Sequence, residues 1–194
     1  MTLDRARTDL PAGLNVRGLS LLSIVSEEQM VATLNGELAQ AGVVLLRIHG
    51  RVESVPALEL LRQRCRERGQ RLLFVSGTGE LDPQMAQAGD VPVDVLQAIT
   101  SYLMCGGPGN LIEGLKFLSD RLLLTGHGYR DPELTSEHGV YLRDMEGADV
   151  EDWKKQADPA KPIAAILFYR AHLLSGNTGF IDALAEALSA QGML

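Results

Sequence analysis

The chain has 194 residues, 45% hydrophobic and 22% charged, which suffices for an ordinary core in one large or two small domains and excludes a disordered polypeptide. Its formal charge of −7 argues against nucleic-acid backbones and anionic membranes as general partners, because both demand a basic face; a small or cationic ligand, or another protein, fits better. No apolar run reaches the roughly 20 residues of a membrane span, and MTLDRARTDLP lacks the apolar core of a signal peptide, so a cytoplasmic location is expected.

In chain order, residues 19–25 (LSLLSIV) form a short apolar run that reads as a strand, and Ser26 followed by Gln29 suggests a capping box for a helix with Met30, Val31, Leu34 and Leu38 on one face. Residues 43–48 (VVLLRI) read as a strand covered on both faces, ended by His49-Gly50. A helix over residues 54–68 aligns Leu58, Leu61 and Cys65 and stops at Gly69, and residues 71–75 (RLLFV) are the next buried strand. This alternation implies an α/β fold with a doubly wound parallel sheet of Rossmann or flavodoxin type over residues 1–90. Residues 76–90, rich in Gly, Asp and Pro, read as a loop.

Two helices come next, about 91–104 and about 111–124, separated by Cys105-Gly-Gly-Pro-Gly-Asn110; residues 91–125 form a helical hairpin added to the sheet. Residues 126–161 are polar, carry Pro132, Pro159 and Pro162 at or near them, and show no sustained period, as expected of a long surface connection. Within it, Trp153 and Tyr141 either pin the segment down or touch a partner. A strand signal returns at residues 163–169 (IAAILFY), followed by a polar loop and a helix with Ile181, Leu184, Ala185 and Leu188 on one side. Residues 162–194 thus start a second β-α unit that opens the next domain or completes the first sheet, since a strand and helix alone cannot bury both faces.

The candidates for chemistry are loops. Residues 170–178 follow a strand's carboxyl end and precede a helix, the place where open α/β sheets bind ligands, and Arg170, His172, Ser175, Asn177 and Thr178 supply donors suited to carboxylates. Capping of the helix by Asn177 or Thr178 is the competing expectation. Arg47 and His49 would line the crevice of the first sheet. Gly106, Gly107 and Asn110 permit a close backbone approach between the hairpin helices. Gly-Lys-Ser/Thr is missing there, and Ser76-Gly-Thr-Gly79 is an incomplete phosphate loop, so a connecting turn is the better reading for both. His49, His127, His138 and His172 have no metal-ligand spacing, Cys65 and Cys105 are expected to be buried thiols, and no nucleophile–base pair or paired-carboxylate pattern stands out. No catalytic residue and no metal site is assigned.

Three stretches carry a resemblance: residues 104–111 (MCGGPGNL), 124–132 (LTGHGYRDP) and above all 166–178 (ILFYRAHLLSGNT) with the amphipathic helix after it. Together they resemble the N-terminal part of the CobN-type large subunit of ATP-dependent cobaltochelatase, in the cobaltochelatase and magnesium-chelatase large-subunit family. The continuation Ser175-Gly-Asn-Thr178 is closer to the cobalt enzyme than to the magnesium one. The resemblance implies ATP-dependent insertion of cobalt into hydrogenobyrinic acid a,c-diamide during cobalamin synthesis. It further implies a corrinoid or tetrapyrrole substrate, AAA+ motor subunits as partners that use ATP and magnesium, and a scaffold piece that binds no cofactor and is inactive alone. The alternative expectation, from the fold only, is a free-standing flavodoxin-like module that binds a small molecule or a protein without catalysis.

Overall fold

After a short helix α1 (Thr2–Arg7), the first part of the chain is organised by two strands, β1 (Val43–Ile48) and β2 (Arg71–Ser76), that pair in parallel with Val43 opposite Arg71 and Ile48 opposite Ser76. The computed structural model describes all residues except Met1, Thr135, Glu137, Asp144, Glu146, Gly147 and Leu194. Two compact units result, Leu3–Glu133 and Leu134–Leu194 with the first two residues, and each is described by itself.

Parallel pairing needs a crossover, which α3 (Leu58–Glu67) provides by burying Leu61 and Cys65 one turn apart. Gly69, at φ +66°, ends it in the left-handed region that a side chain would strain. Beside α3 lies α2 (Glu27–Asn35), whose first turn is held as the sequence suggests: Ser26 Oγ accepts from the Gln29 amide at 3.3 Å, and the Gln29 side chain accepts from the Val25 amide at 2.7 Å. The Arg68 guanidinium donates to the Leu34 carbonyl and to Asn35 Oδ1, tying the ends of α2 and α3 together.

Alternation along the strands divides the core. Val44, Ile48, Leu72 and Phe74 pack with Met30, Leu34, Leu61 and Cys65. Leu73 and Val75 pack with Val95, Leu96 and Ile99 of α5 (Val93–Cys105) and with Phe117 and Leu118 of α6 (Gly107–Leu123). The sheet is therefore covered on both faces, and each buried side chain of this size contributes about 1.5–3 kcal/mol. Burial pushes the Cys65 thiol up to about 11, with the nearby Asp90 carboxylate adding to the effect, so it is a core residue and not a reactive one. At the outer edge of β2, Leu72 and Asp90 exchange hydrogen bonds: the Leu72 amide donates to Asp90 Oδ1 at 2.7 Å and the Asp90 amide to the Leu72 carbonyl at 3.0 Å. The chain comes so close there that a Cβ on Gly89 would stand 2.7 Å from the Leu72 oxygen.

The α/β class holds, but three expectations need correcting. Residues 19–25 are not a strand: Ser23 Oγ donates to the Ser20 carbonyl at 2.6 Å, closing a 3₁₀ turn at Leu21–Ser23. Leu22 stays 90% exposed, because the serines three residues apart, Ser20 and Ser23, satisfy the backbone locally. Among the described residues the sheet thus has two strands where a doubly wound fold calls for more. Residues 76–90 are not all loop, since Asp82 accepts from the Gln84 and Met85 amides and Pro83 fixes the first turn of α4 (Pro83–Ala88), too short to show a period in sequence.

In the second unit, the polar connection contains α7 (Val150–Gln156), opened by a capping box between Asp149 and Asp152. Residues 163–169 take no regular secondary structure and join no ladder among the described residues. The expected loop after them is a helix, α8 (Arg170–Ser175), followed by α9 (Gly179–Ala190).

Candidate functional site

The carboxyl end of the β1–β2 pair is assembled by register. Ile48 and Ser76 are partners, so His49 and Gly77 leave the sheet side by side, and the Gly77 amide donates to the Ile48 carbonyl at 2.7 Å. Arg47 Nη2 donates to the Gly77 carbonyl at 3.3 Å. The His49 imidazole lies where a Cβ on residue 77 would stand, so a side chain there would require the exposed ring to swing away, and the Met104 thioether occupies the same position over Gly79 at φ +84°. Ser76 Oγ accepts from the Thr78 amide at 3.2 Å and shares a hydrogen bond with Thr78 Oγ1 at 2.7 Å, fixing the turn. An exposed guanidinium and an exposed imidazole therefore converge at the end of parallel strands, a set of donors for a carboxylate.

Gly106 and Gly107, at φ +70° and +80°, break the chain between α5 and α6. Asn110 is wholly occupied: its Nδ2 donates to the carbonyls of Gly106 (2.8 Å) and Glu133 (2.9 Å), and its Oδ1 accepts from the Glu133 amide (2.8 Å). It is the first of three polar side chains on one stripe of α6. Glu113, only 8% exposed, accepts from the Arg130 amide at 2.8 Å and pairs with Lys116 at 2.9 Å. Asp120 accepts from Thr125 Oγ1 and from the His127 and Gly128 amides, each at 2.7 Å. Tyr102 closes the set by donating to the Arg130 carbonyl at 2.6 Å, and the Tyr129 ring stands edge-on to Phe117 at 5.1 Å. Residues 126–133, expected as part of the long surface connection, form with Leu124 and Thr125 a strap laid along α6. Glu113 and Asp120 are not singled out by the sequence; the signal was acidic residues in phase with the apolar stripe that carries Phe117.

At the hinge of this strap, Leu124 is 88% exposed at φ +57°, a left-handed C-terminal position usually filled by glycine. The strain costs about 1–2 kcal/mol, partly offset by the extra chain entropy of glycine. Leu124→Gly is expected to raise the melting temperature by about 2 °C in a thermal scan. An unchanged or lower value would show that Leu124 is held there by more than its backbone.

In the second unit, the five residues expected as one polar loop are distributed over two helices and the turn between them. Arg170 opens α8, half-buried. The His172 carbonyl accepts from the Asn177 amide at 2.8 Å and from Ser175 Oγ at 3.2 Å, while its ring stands edge-on to Phe180 at 5.0 Å. Gly176, at φ +68°, turns the chain, and Asn177 is exposed. The Thr178 carbonyl receives the Ile181 and Asp182 amides, but its hydroxyl makes no cap to α9, so capping by the Thr178 side chain is not the role of that residue. Tyr141 finds a partner here: its hydroxyl donates to Asp182 Oδ1 at 3.0 Å and its ring meets Phe168 edge-on at 5.9 Å. Arg143 bonds Glu186 at 2.5 Å.

Among the described residues no group of three or more His, Cys, Asp and Glu side chains could hold a metal ion, and no helix is long and apolar enough to cross a membrane. The family model described as CobN/Magnesium Chelatase matches residues 100–194. Aerobic cobaltochelatase subunit CobN of Pseudomonas aeruginosa is 31% identical over 163 residues, spanning 80% of this chain and 12% of that protein. The chain belongs to the CobN/magnesium-chelatase family.

The solved catalytic subunit of cobaltochelatase from Mycobacterium tuberculosis superposes with a TM-score of 0.64 at 29% identity, covering 99% of this chain and 14% of that one. The chain therefore spans about an eighth of the length of the relatives it matches. The family match includes Gly106, Gly107, Asn110, the strap and residues 170–178, whereas Arg47 and His49 lie before it.

Proposed function

We propose that this chain is the N-terminal portion of the large subunit of an aerobic cobaltochelatase, where it helps to hold a corrinoid while the complete complex inserts cobalt with the use of ATP. The observation that carries the reading is likeness to a cobaltochelatase catalytic subunit over nearly the whole chain, in sequence and in fold together. Cobalt is substrate in this reading, and the macrocycle is hydrogenobyrinic acid a,c-diamide. AAA+ motor subunits supply ATP hydrolysis with magnesium. The chain binds no cofactor of its own and is inactive alone.

Two sets of donors suit the acetate and propionate arms of such a substrate. Arg47 and His49 present a cation and an imidazole at the sheet end. In the second unit, Asn177 is exposed next to the start of α9, a helix end that favours an anion, with Ser175 and Thr178 in the same turn, while Arg170 and His172 stand on α8 before it. Holding carboxylates at the rim orients the ring without engaging its nitrogens, which leaves them open to the incoming metal.

Absorbance titration of the full-length protein with hydrogenobyrinic acid a,c-diamide tests the reading: saturable binding is expected, and a folded protein that binds neither this compound nor a porphyrin would refute it. Asn177→Leu is expected to weaken that binding about tenfold, the worth of one hydrogen bond to a charged group, with a melting temperature within about 1 °C of wild type. Unchanged affinity with a fallen melting temperature would assign Asn177 to structure.

A further inference from the structure

The layering of the first unit brings distant segments to one end. The amide and carboxylate of Asp90 bond Leu72 near the start of β2, and the Leu123 side chain lies against Gly42 just before β1. The start of α5 and the end of α6 therefore stand at the amino end of the strands. At the opposite end the Met104 side chain lies across Gly79, past the end of β2. The last turn of α5 and the break at Gly106-Gly107 thus meet the residues that leave the sheet, His49 after β1 and the turn Ser76-Gly77-Thr78-Gly79 after β2.

That turn holds no cradle for a phosphate. Its amides are engaged within the fold, Gly77 by the Ile48 carbonyl, Thr78 by Ser76 Oγ and Gly79 by the Ser76 carbonyl at 3.3 Å. Recognition at this end falls to side chains. The His49 ring covers Gly77 face-on, since Cε1, Nδ1 and Nε2 are nearly equidistant from the point a Cβ would take, and Met104 covers Gly79 with Cγ, Sδ and Cε together. Both side chains stay exposed, Met104 by 45%, although Ile99 and Tyr102 on the same helix are buried. Met104 shares the outer stripe of α5 with the exposed Gln97 and Ser101, where a polar residue would serve the fold as well. Arg62, Arg64, Arg71 and Arg121 each pair with a carboxylate, whereas Arg47 has none among the described residues and gives Nη2 to the Gly77 carbonyl at 3.3 Å.

A guanidinium alone takes any carboxylate. With an imidazole face and a polarisable thioether on the same turn, the site suits a carboxylate borne by a broad conjugated ring. We infer that His49 and Met104 are a platform on which one face of the macrocycle lies while Arg47 holds one of its carboxylate arms, so that Met104 positions the ring and selects for it. The inference rests on the functional reading above and names the contact that the sheet end makes with the ring. With one face covered, the metal reaches the ring from the other.

Absorbance titration of full-length variants with hydrogenobyrinic acid a,c-diamide tests this. Met104→Gln and Arg47→Gln are each expected to weaken binding about tenfold, with melting temperatures within about 1 °C of wild type. Met104→Leu, which keeps the apolar volume, should lose less than about twofold. Oxidation of Met104 in the wild type by dilute hydrogen peroxide, followed by peptide mass spectrometry, should slow at least about fivefold when the compound saturates the protein. Wild-type affinity in Met104→Gln overturns the inference. So does an equal loss in the leucine and glutamine variants, which would mark Met104 as packing for the turn, or oxidation at one rate with and without the compound. Any of these results in a wild type that binds the compound leaves the functional reading standing; a folded wild type that binds neither it nor a porphyrin refutes that reading, and the inference with it.

Discussion

Replacing Glu113 with alanine should lower the stability of the first unit by about 3 kcal/mol and release residues 124–133 from α6. The carboxylate is 8% exposed, and its removal leaves the Arg130 amide and the Lys116 ammonium, 19% exposed, without an acceptor. The second cation, the Arg130 guanidinium, is 80% exposed at 3.4 Å and adds little. In a thermal scan the loss reads as roughly 5–10 °C, accompanied by new proteolytic cleavage within the strap. Burial opposes the charge on Glu113, but the Arg130 amide and Lys116 outweigh it and hold the carboxyl below its ordinary value of 4.5. Asp120 is held below its ordinary 3.8 by the Thr125 hydroxyl first, against some burial, then by the His127 and Gly128 amides. For a carboxyl whose folded pKa is depressed, the stabilisation is complete above the ordinary value and disappears as the pH falls through the folded one. The gap in melting temperature between wild type and Glu113→Gln should therefore be constant above pH 4.5 and shrink below it; a gap that widens in acid would contradict the assignment.

Gly114→Leu should cost about 3 kcal/mol for a different reason, by forcing α5 and α6 apart. A Cβ at residue 114 would lie 2.9 Å from Tyr102 Cβ and 3.1 Å from Ile99 Cδ1, closer than packed carbons tolerate. Neither neighbour can retreat: Ile99 is 1% exposed against the sheet, and Tyr102 is fixed by its bond to the Arg130 carbonyl and by Phe117 at 5.7 Å. Displacing Tyr102 would also loosen the strap. Gly114→Ala separates sterics from helix propensity, because alanine gains about 1 kcal/mol over glycine in a helix interior and so shows a smaller net loss. Equal stability of the leucine variant and wild type, by denaturant titration, would show that the two helices are not in close contact at this point.

The elements legible in the sequence were those whose own residues determine them. Val43 to Ile48 and Arg71 to Ser76 are apolar enough to demand burial on both faces, and Leu61 with Cys65 show their helical spacing directly. Ser26 and Gln29 make their cap within four residues. What escaped depends on distant partners. Residues 19–25 and 163–169 have strand composition, yet a strand exists only through a neighbour, which neither segment has among the described residues. The strap was invisible because its order comes from Asn110, Glu113 and Asp120, up to 23 residues away in sequence. For the candidate site, Arg47 and His49 were reachable from the rule that ligands meet parallel strands at their carboxyl ends. The residues from Arg170 to Thr178, expected as one polar loop, form a helix and its turn, since Ser175 and Gly176 close α8 through local bonds that no periodicity reveals.

Metal insertion by the full-length protein tests the functional reading most directly. The polypeptide that contains these 194 residues, mixed with its motor subunits, magnesium-ATP and hydrogenobyrinic acid a,c-diamide, should incorporate cobalt, seen as a change in the visible spectrum that requires ATP and fails when residues 1–194 are supplied alone. A folded, assembled complex that leaves this macrocycle metal-free, or that instead inserts magnesium into a porphyrin, would contradict the assignment.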